Sequence, residues 1–200
     1  MNEYVRMKAS AMKKINDLTL SGEIVIFGST YMSEFPIYEL TNKCKLENAV
    51  YNRSIKGLTV KEAIEILDDC VVDIHPSKVF IALGEEDESD PNAASEYSRL
   101  ISTIRQKLPE AMIYMIGLTN GGSFAEKFNK NMLSLCDNKN VKYIDLIKKS
   151  TSENALFKAQ FKQLSCFFRT HPITMSDVFS LANLLCIFLY SLFSLNFVIS

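Results

Sequence analysis

The sequence predicts an α/β fold, specifically a flavodoxin-like three-layer α/β/α sandwich around a five-stranded parallel sheet. Five short apolar runs carry the β-branched residues typical of strands, and helical segments separate most of them. The runs lack apolar–polar alternation, as expected for parallel strands that are buried on both faces. Because strands and helices take turns along the chain, right-handed crossovers should join parallel strands.

The N-terminal quarter is expected to supply one helix and the first two strands. Residues 1–20 fit an amphipathic helix, whose apolar face is predicted to hold Tyr4, Met7, Ala11, Ile15 and Leu18. The first strand covers residues 23–27, and a weaker second strand covers residues 49–52. The connection between these two strands is predicted to be a loop.

The next helix has a clear start signal. Thr59 is a predicted N-cap, and Glu62, three residues later, completes a capping box. The helix should run over residues 60–70, with the inward positions Ala63, Ile64, Leu67 and Val71. The third strand, residues 78–83, follows this helix.

The C-terminal half continues the alternation of helix and strand. The predicted order is helix 93–107, strand 111–117, helix 123–137 and strand 141–146. Pro109 ends the first of these helices. A looser region up to Pro172 is predicted after the fifth strand, and a final helix is expected to begin near Thr174 or Ser176.

The charge balance argues against a nucleic-acid partner. The 200 residues include 22 Lys and Arg and 23 Asp and Glu, which gives a formal net charge of −1. Phosphate backbones are bound by clustered positive charge, which this composition does not suggest. The length fits one domain over residues 1–200, with a core of about 23–185 and an apolar C-terminal extension at 186–200.

The five cysteines indicate a reducing compartment. Their odd number and the lack of a C-x-x-C spacing argue against a disulfide framework or a zinc site. The N-terminus is mixed in charge and has no apolar run typical of a signal peptide. We therefore expect a cytoplasmic protein that needs no metal and no other cofactor.

Residues 178–200 contain no charged side chain, which leaves two interpretations of this segment open. It is long enough to span a bilayer, so membrane contact is one of them. Polar residues interrupt the segment and no basic cluster flanks it. These features favour the other interpretation, a buried final helix.

Residues capable of chemistry follow the predicted strand ends, where open parallel sheets bind their ligands. Gly28-Ser29-Thr30 follows the first strand, residues 52–57 follow the second, residues 84–87 follow the third, and His171 stands near the end of the chain. Together these segments supply hydroxyls, glycine amides, carboxylates and an imidazole. Such groups serve as nucleophile, oxyanion donors and base in acyl transfer.

The four segments, in this order, resemble the motif blocks of the SGNH hydrolases, the superfamily of GDSL-like lipases and acylhydrolases. The matching blocks are Phe27-Gly28-Ser29-Thr30, Asn52-Arg53-Ser54-Ile55-Lys56-Gly57, Leu83-Gly84-Glu85-Glu86-Asp87 and Phe168-Arg169-Thr170-His171-Pro172. The resemblance covers about residues 23–185. It implies the same sandwich fold and hydrolysis of a small-molecule acyl ester.

The resemblance also implies a role for each site residue. Thr30 stands at the position of the family's nucleophilic Ser, and register favours it over the neighbouring Ser29. Both hydroxyls have a structural alternative, which is to cap the following helix. The amides of Thr30 and Gly57 would bind the oxyanion, and His171 would be the general base.

Two positions depart from the family pattern. Glu86 replaces an Asn that donates a hydrogen bond to the oxyanion, which an ionised Glu cannot do. Phe168 replaces the acid that orients the catalytic His, so His171 lacks its usual partner. These departures keep a second function open, a non-catalytic relative that binds a ligand or partner. The other histidine, His75, is predicted to lie in an exposed loop at the opposite edge of the sheet.

Overall fold

The computed structural model of the chain describes residues 1–168 except Lys45, Glu47, Gly121 and Asn138. Within these residues one parallel sheet contains β1 (Ile24–Gly28), β2 (Val50–Asn52), β3 (Lys78–Ala82), β4 (Met112–Ile116) and β5 (Val141–Ile144). The spatial order is β2-β1-β3-β4-β5. This is the flavodoxin-like order, which confirms the predicted fold class. The chain reverses direction across the sheet between β1 and β3, and ligands bind at such switch points.

Strand β1, which lies between β2 and β3, explains why the apolar runs lack alternation. All five of its residues are buried, because helices cover both faces of the sheet. It pairs with β2 from Ile24 opposite Val50, and with β3 as far as Gly28 opposite Ala82. Thus β1 and β3 reach the carboxyl edge of the sheet side by side.

The first face of the sheet packs against five helices. They are α1 (Glu3–Lys14), α4 (Val60–Glu65), α5 (Leu67–Cys70), α6 (Ala93–Lys107) and α7 (Gly122–Ser134). The capping box of α4 is confirmed, since Thr59 Oγ1 accepts from Glu62 N and the Glu62 carboxylate accepts from Thr59 N. The single helix predicted over residues 60–70 is divided at Ile66 into α4 and α5.

The predicted inward face of α1 is wrong. Val5 and Ala9 are the buried residues of this helix, and Met12 packs partly against the same core. These residues stand at positions i, i+4 and i+7, so they form one stripe along the helix. Their side chains pack into the core on the first face of the sheet. The residues predicted to face inward are instead exposed, namely Tyr4, Met7, Ala11, Ile15 and Leu18.

The second face of the sheet packs against α2 (Thr30–Glu34), α3 (Ile37–Cys44) and α8 (Glu153–Phe168). Two predictions are corrected here, because residues 30–44 were expected to be a loop and residues 153–168 a looser region. The apolar positions of α8 have helical spacing over Phe157, Phe161, Leu164 and Phe168. Without these helices one whole face of buried strands would be exposed to water.

The direction of α8 places Phe168 at the amino edge of the sheet. Lys78, the first residue of β3, donates from Nζ to the carbonyl oxygens of Phe167 at 2.9 Å and Phe168 at 2.8 Å. The Phe168 ring also packs edge-on against Phe80, with 5.0 Å between the centroids. The end of α8 is therefore fixed at the start of β3, opposite the edge at which β1 and β3 end.

Several predictions concern residues outside the described part of the chain. They are His171, the final helix near residue 174 and the segment 178–200. No helix among the described residues is both long enough and apolar enough to cross a membrane. The described cysteines are all unpaired, with Cys70 buried and both Cys44 and Cys166 exposed.

Candidate active site

The turn from β1 into α2 positions Thr30 at the carboxyl edge of the sheet. Gly28 ends the strand where a side chain would not fit, since a Cβ atom there would lie 2.8 Å from the Ala82 carbonyl oxygen. Ser29 follows, and its N–H donates to the same oxygen at 3.0 Å. Thr30 is then the first residue of α2 and is partly exposed.

The Thr30 hydroxyl lies between a donor and an acceptor. It accepts from the backbone N–H of Gly57 at 3.0 Å and donates to Glu86 Oε1 at 2.5 Å. The two partners come from the loops after β2 and β3, which flank β1 in the sheet. Three residues that sequence analysis drew from separate motif blocks therefore meet at one oxygen atom.

The loop after β2 presents the Gly57 amide because its backbone is held against α2 and β1. Gly57 has φ +75°, a left-handed conformation that glycine adopts without strain. The Ile55 N–H donates to Gly28 O at 3.0 Å, and Asn52 Nδ2 donates to Met32 O at 2.8 Å. Lys56 adds an exposed ion pair with Glu34.

The loop after β3 places three consecutive carboxylates on three different donors. Glu85 Oε1 accepts from the N–H of Tyr31 at 2.8 Å, and Glu86 accepts from Thr30. Both Asp87 carboxylate oxygens accept from the N–H of Val60, at 3.1 and 3.2 Å, at the start of α4. The acidic run therefore connects α2 to α4 across the switch point.

The acidic loop contains two carboxyl groups with raised pKa values. Burial raises the pKa of Asp87 from 3.8 to about 6, although the hydrogen bond from Val60 N lowers it in part. Partial desolvation also raises the pKa of Glu85, against the opposing effect of the Tyr31 N–H. Glu86 contributes to both shifts through charge repulsion.

A small pocket adjoins the site on the side of β4 and β5. Its lining includes Tyr31, Ala82, Glu85, Leu118 and Leu146, and its volume of about 30 Å³ matches roughly one water molecule. The Tyr31 hydroxyl donates to Gln160 Oε1, and Gln160 Nε2 donates to Ile147 O at 2.7 Å. These bonds hold Tyr31 against α8 and help to define the wall of the pocket.

The remaining predicted site residues lie in different environments. Ser29 is fully buried, and its hydroxyl has no hydrogen-bond partner among the described residues, so it neither caps α2 nor faces a cleft. His171 lies outside the described residues. Phe168 lies at the amino edge, away from Thr30. His75 is exposed just before β3, as predicted.

Sequence analysis did not assign roles to Glu85 and Asp87. A run of acidic residues usually forms a solvated loop, yet Asp87 is only 3% exposed. One signal was present, because the run directly follows a strand end beside Gly84, where a side chain would overlap the Phe128 ring. No group of three or more potential metal ligands is arranged around a common centre in the described part of the chain.

No protein-family model and no curated protein sequence matches the chain. Solved structures do match it. A protein from Streptococcus pneumonia assigned as a platelet activating factor aligns with a TM-score of 0.69 and 15% identity, over 83% of this chain and 93% of that one.

Two further matches are a lipase and an esterase. A GDSL-like lipase from Bacteroides thetaiotaomicron aligns with a TM-score of 0.59 and 9% identity, over 81% of this chain and 98% of that one. The psychrotrophic esterase EstA from Pseudoalteromonas sp., in a structure inhibited by monoethylphosphonate, aligns with a TM-score of 0.58 and 14% identity, over 75% and 100%. These matches show that the chain has the fold of the SGNH hydrolases, as the order of the motif blocks predicted.

Proposed function

We propose that this protein is an ester hydrolase of the acylhydrolase type, with Thr30 as its nucleophile. The observation that carries the proposal is the Thr30 hydroxyl at the switch point, between the Gly57 N–H and the Glu86 carboxylate. The structural matches to a GDSL-like lipase and an esterase support the same reaction class. The site residues therefore carry the functional proposal, and the fold is one that such enzymes share.

The site supplies a nucleophile and two candidate oxyanion donors. Thr30 Oγ1 would attack the acyl carbon, and negative charge would then develop on the carbonyl oxygen. The Thr30 N–H is the first amide of α2, where the helix itself supplies no acceptor, and the Gly57 N–H can turn from Thr30 Oγ1 to the oxyanion. The resemblance assigns the general base to His171, which stays a prediction.

Thr30 is a better candidate than Ser29 on geometric grounds. Attack needs a hydroxyl that substrate can reach, and Thr30 is partly exposed whereas Ser29 is fully buried. The Thr30 methyl group restricts χ1 and narrows the approach path, so a slower reaction than with Ser is expected. The adjoining pocket, at about 30 Å³, is too small for a long acyl chain.

Hydrolysis of 4-nitrophenyl acetate tests the proposal. We expect the purified protein to release 4-nitrophenolate above the rate in buffer, and Thr30→Ala to remove this activity, because the attacking oxygen is lost. Ser29→Ala is the neighbouring control and should retain the rate. If His171 is the base, His171→Ala will also lose the activity. Equal rates for wild type and Thr30→Ala would contradict the proposal.

A second candidate function is ligand binding without catalysis. One observation favours it: Glu86 occupies the site of the family's oxyanion-donating Asn and already binds the Thr30 hydroxyl. A Thr30→Ser, Glu86→Asn double variant separates the two functions. Strong esterase activity in the double variant with none in the parent would identify the parent as a non-catalytic relative.

The cytoplasm stays the proposed location. The exposed thiols of Cys44 and Cys166 support it, because exposed free cysteines persist in reducing compartments.

A further inference from the structure

We propose that Glu86 is the general base that takes the proton from Thr30, in the role that the resemblance gives to His171. This inference rests on the proposed esterase function. Its first support is contact, since Glu86 Oε1 lies 2.5 Å from Thr30 Oγ1 and accepts its hydrogen bond. A general base must reach the proton that it removes, and Glu86 Oε1 does so.

The hydrogen bond leaves Thr30 Oγ1 oriented for attack. Its proton points to Glu86, while the Gly57 N–H occupies one lone pair of the oxygen. Once the proton moves to Glu86, the freed electron pair can form the bond to the acyl carbon. The Gly57 N–H is then close enough to bind the oxygen of the substrate carbonyl.

Neighbouring contacts hold Glu86 in this position. Glu85, the residue before it, is fixed on the N–H of Tyr31, and Asp87, the residue after it, is fixed on the N–H of Val60. The Asp87 N–H also donates to Gly84 O at 3.2 Å and closes a tight turn around Glu86. Such positioning on both sides suits a catalytic carboxylate better than a freely moving surface side chain.

Glu86 is not held in an ion pair among the described residues. Charged groups near it include the carboxylates of Glu85 and Asp87 and the ammonium group of Lys56. Lys56 is paired with Glu34 at 2.7 Å, and Glu86 forms no ion pair with a described residue. Glu86 is also exposed, so its proton can exchange with water between turnovers.

The proposed steps balance in protons and electron pairs. The Oγ1–H bond breaks, Glu86 takes the proton, and Oγ1 bonds to the acyl carbon while the carbonyl π pair moves to oxygen. The intermediate then expels the alkoxide, which takes the proton from Glu86 and leaves as the alcohol. Water attacks the acyl-enzyme, and Glu86 accepts its proton. When the second tetrahedral intermediate collapses, its bond to Thr30 Oγ1 breaks and Glu86 returns the proton to Oγ1. The carboxylic acid is then released.

Glu86→Gln distinguishes this role from the one implied by the family pattern, because the two predict opposite signs. A glutamine can bind the Thr30 hydroxyl but cannot take its proton, so the base role predicts a fall in kcat/KM for 4-nitrophenyl acetate of about 10²–10³-fold. A glutamine also supplies an amide N–H, which can donate a hydrogen bond to the oxyanion. If Glu86 only impairs the oxyanion site, the same variant will therefore be faster than wild type.

The matched control is Glu88→Gln, which removes the same charge from an exposed position in the same loop and should keep the wild-type rate. A second variant, Glu86→Ala, guards against a merely structural effect. Added sodium formate should restore part of its activity, because formate can take the proton in place of the missing carboxylate. Lost contacts alone would not respond to formate.

The outcomes separate this inference from the proposed function. Thr30-dependent hydrolysis that Glu86→Gln leaves unchanged or raises would overturn the base role and leave the esterase proposal standing. Thr30-dependent hydrolysis that falls in Glu86→Gln and recovers with formate in Glu86→Ala supports both. Hydrolysis that does not depend on Thr30 contradicts the esterase proposal and, with it, the role of Glu86.

Discussion

Asp87 holds the acidic loop against the start of α4 at the cost of a desolvated charge. The residue is 3% exposed, and both carboxylate oxygens accept from the single N–H of Val60. Burial raises its pKa from 3.8 to about 6 in the folded protein. An acid with a raised pKa in the folded state binds its proton more tightly there than in the unfolded chain.

The free energy of unfolding should therefore fall as pH rises from about 4 to about 6, by at most about 3 kcal/mol at 1.36 kcal/mol per pKa unit. Asp87→Asn keeps an oxygen that accepts from Val60 N but never ionises, so its stability should lack this fall. Urea denaturation at a series of pH values measures the difference. A wild-type slope that persists in Asp87→Asn but disappears in Glu88→Gln would contradict the assignment.

At the residue scale, motif order predicted which groups lie together at the site, whereas their chemical roles stay predictions. Thr30, Gly57 and Glu86 came from three blocks, and the structure brings them together. The hydrogen bonds of Glu85 and Asp87 were missed, because their partners lie 54 and 27 residues away in the chain. No local pattern encodes such pairs, and a run of five acids within six positions usually indicates a solvated loop.

At the scale of elements, α8 depends on one buried lysine. Lys78 is 3% exposed, and its ammonium group donates to the carbonyls of Phe167 and Phe168 at the last turn of the helix. Hydrogen bonds from a charged group are stronger than those between neutral groups. Desolvation lowers the pKa of Lys78, and no acidic side chain among the described residues forms an ion pair with it.

Lys78→Met should lower the free energy of unfolding by about 1–3 kcal/mol, because it removes charge-assisted hydrogen bonds to two carbonyl groups. Denaturation in urea measures this loss, and hydrogen exchange should show the largest change at the C-terminal turn of α8. Lys142→Met, at an exposed position of β5, is the matched control and should change stability little. A Lys78→Met protein as stable as wild type would refute this role.

Elements were predictable from sequence to the extent that their signals are local. All five strands appear within a few residues of their predicted bounds, since unbroken apolar runs mark them. Helix α6 matches its prediction at both ends. Helices α2, α3 and α8 were not predicted. Helices α2 and α3 are short, whereas α8 was missed although the sequence holds its N-cap, since Ser152 Oγ accepts from Ala155 N at 3.2 Å.

At the scale of the whole molecule, the strand order creates the site. Because β1 lies between β2 and β3, the loops after all three strands meet at one edge. The same order places Phe168 at the other edge, through the antiparallel course of α8 beside the sheet. The fold was therefore predictable from the order of strands, helices and motifs along the chain. The hydrogen bond from Thr30 to Glu86 was not, because it depends on a contact between separate loops.

Covalent labelling tests the reactivity of Thr30 most directly. An aryl phosphonate ester is an electrophile that phosphonylates activated hydroxyl nucleophiles, and peptide mass spectrometry locates the adduct. We predict one phosphonyl group on Thr30 in wild type, none in Thr30→Ala, and slower labelling in Glu86→Gln than in Glu88→Gln. An adduct on another residue, or an unlabelled protein that hydrolyses esters, would contradict the claim that Thr30 is the nucleophile.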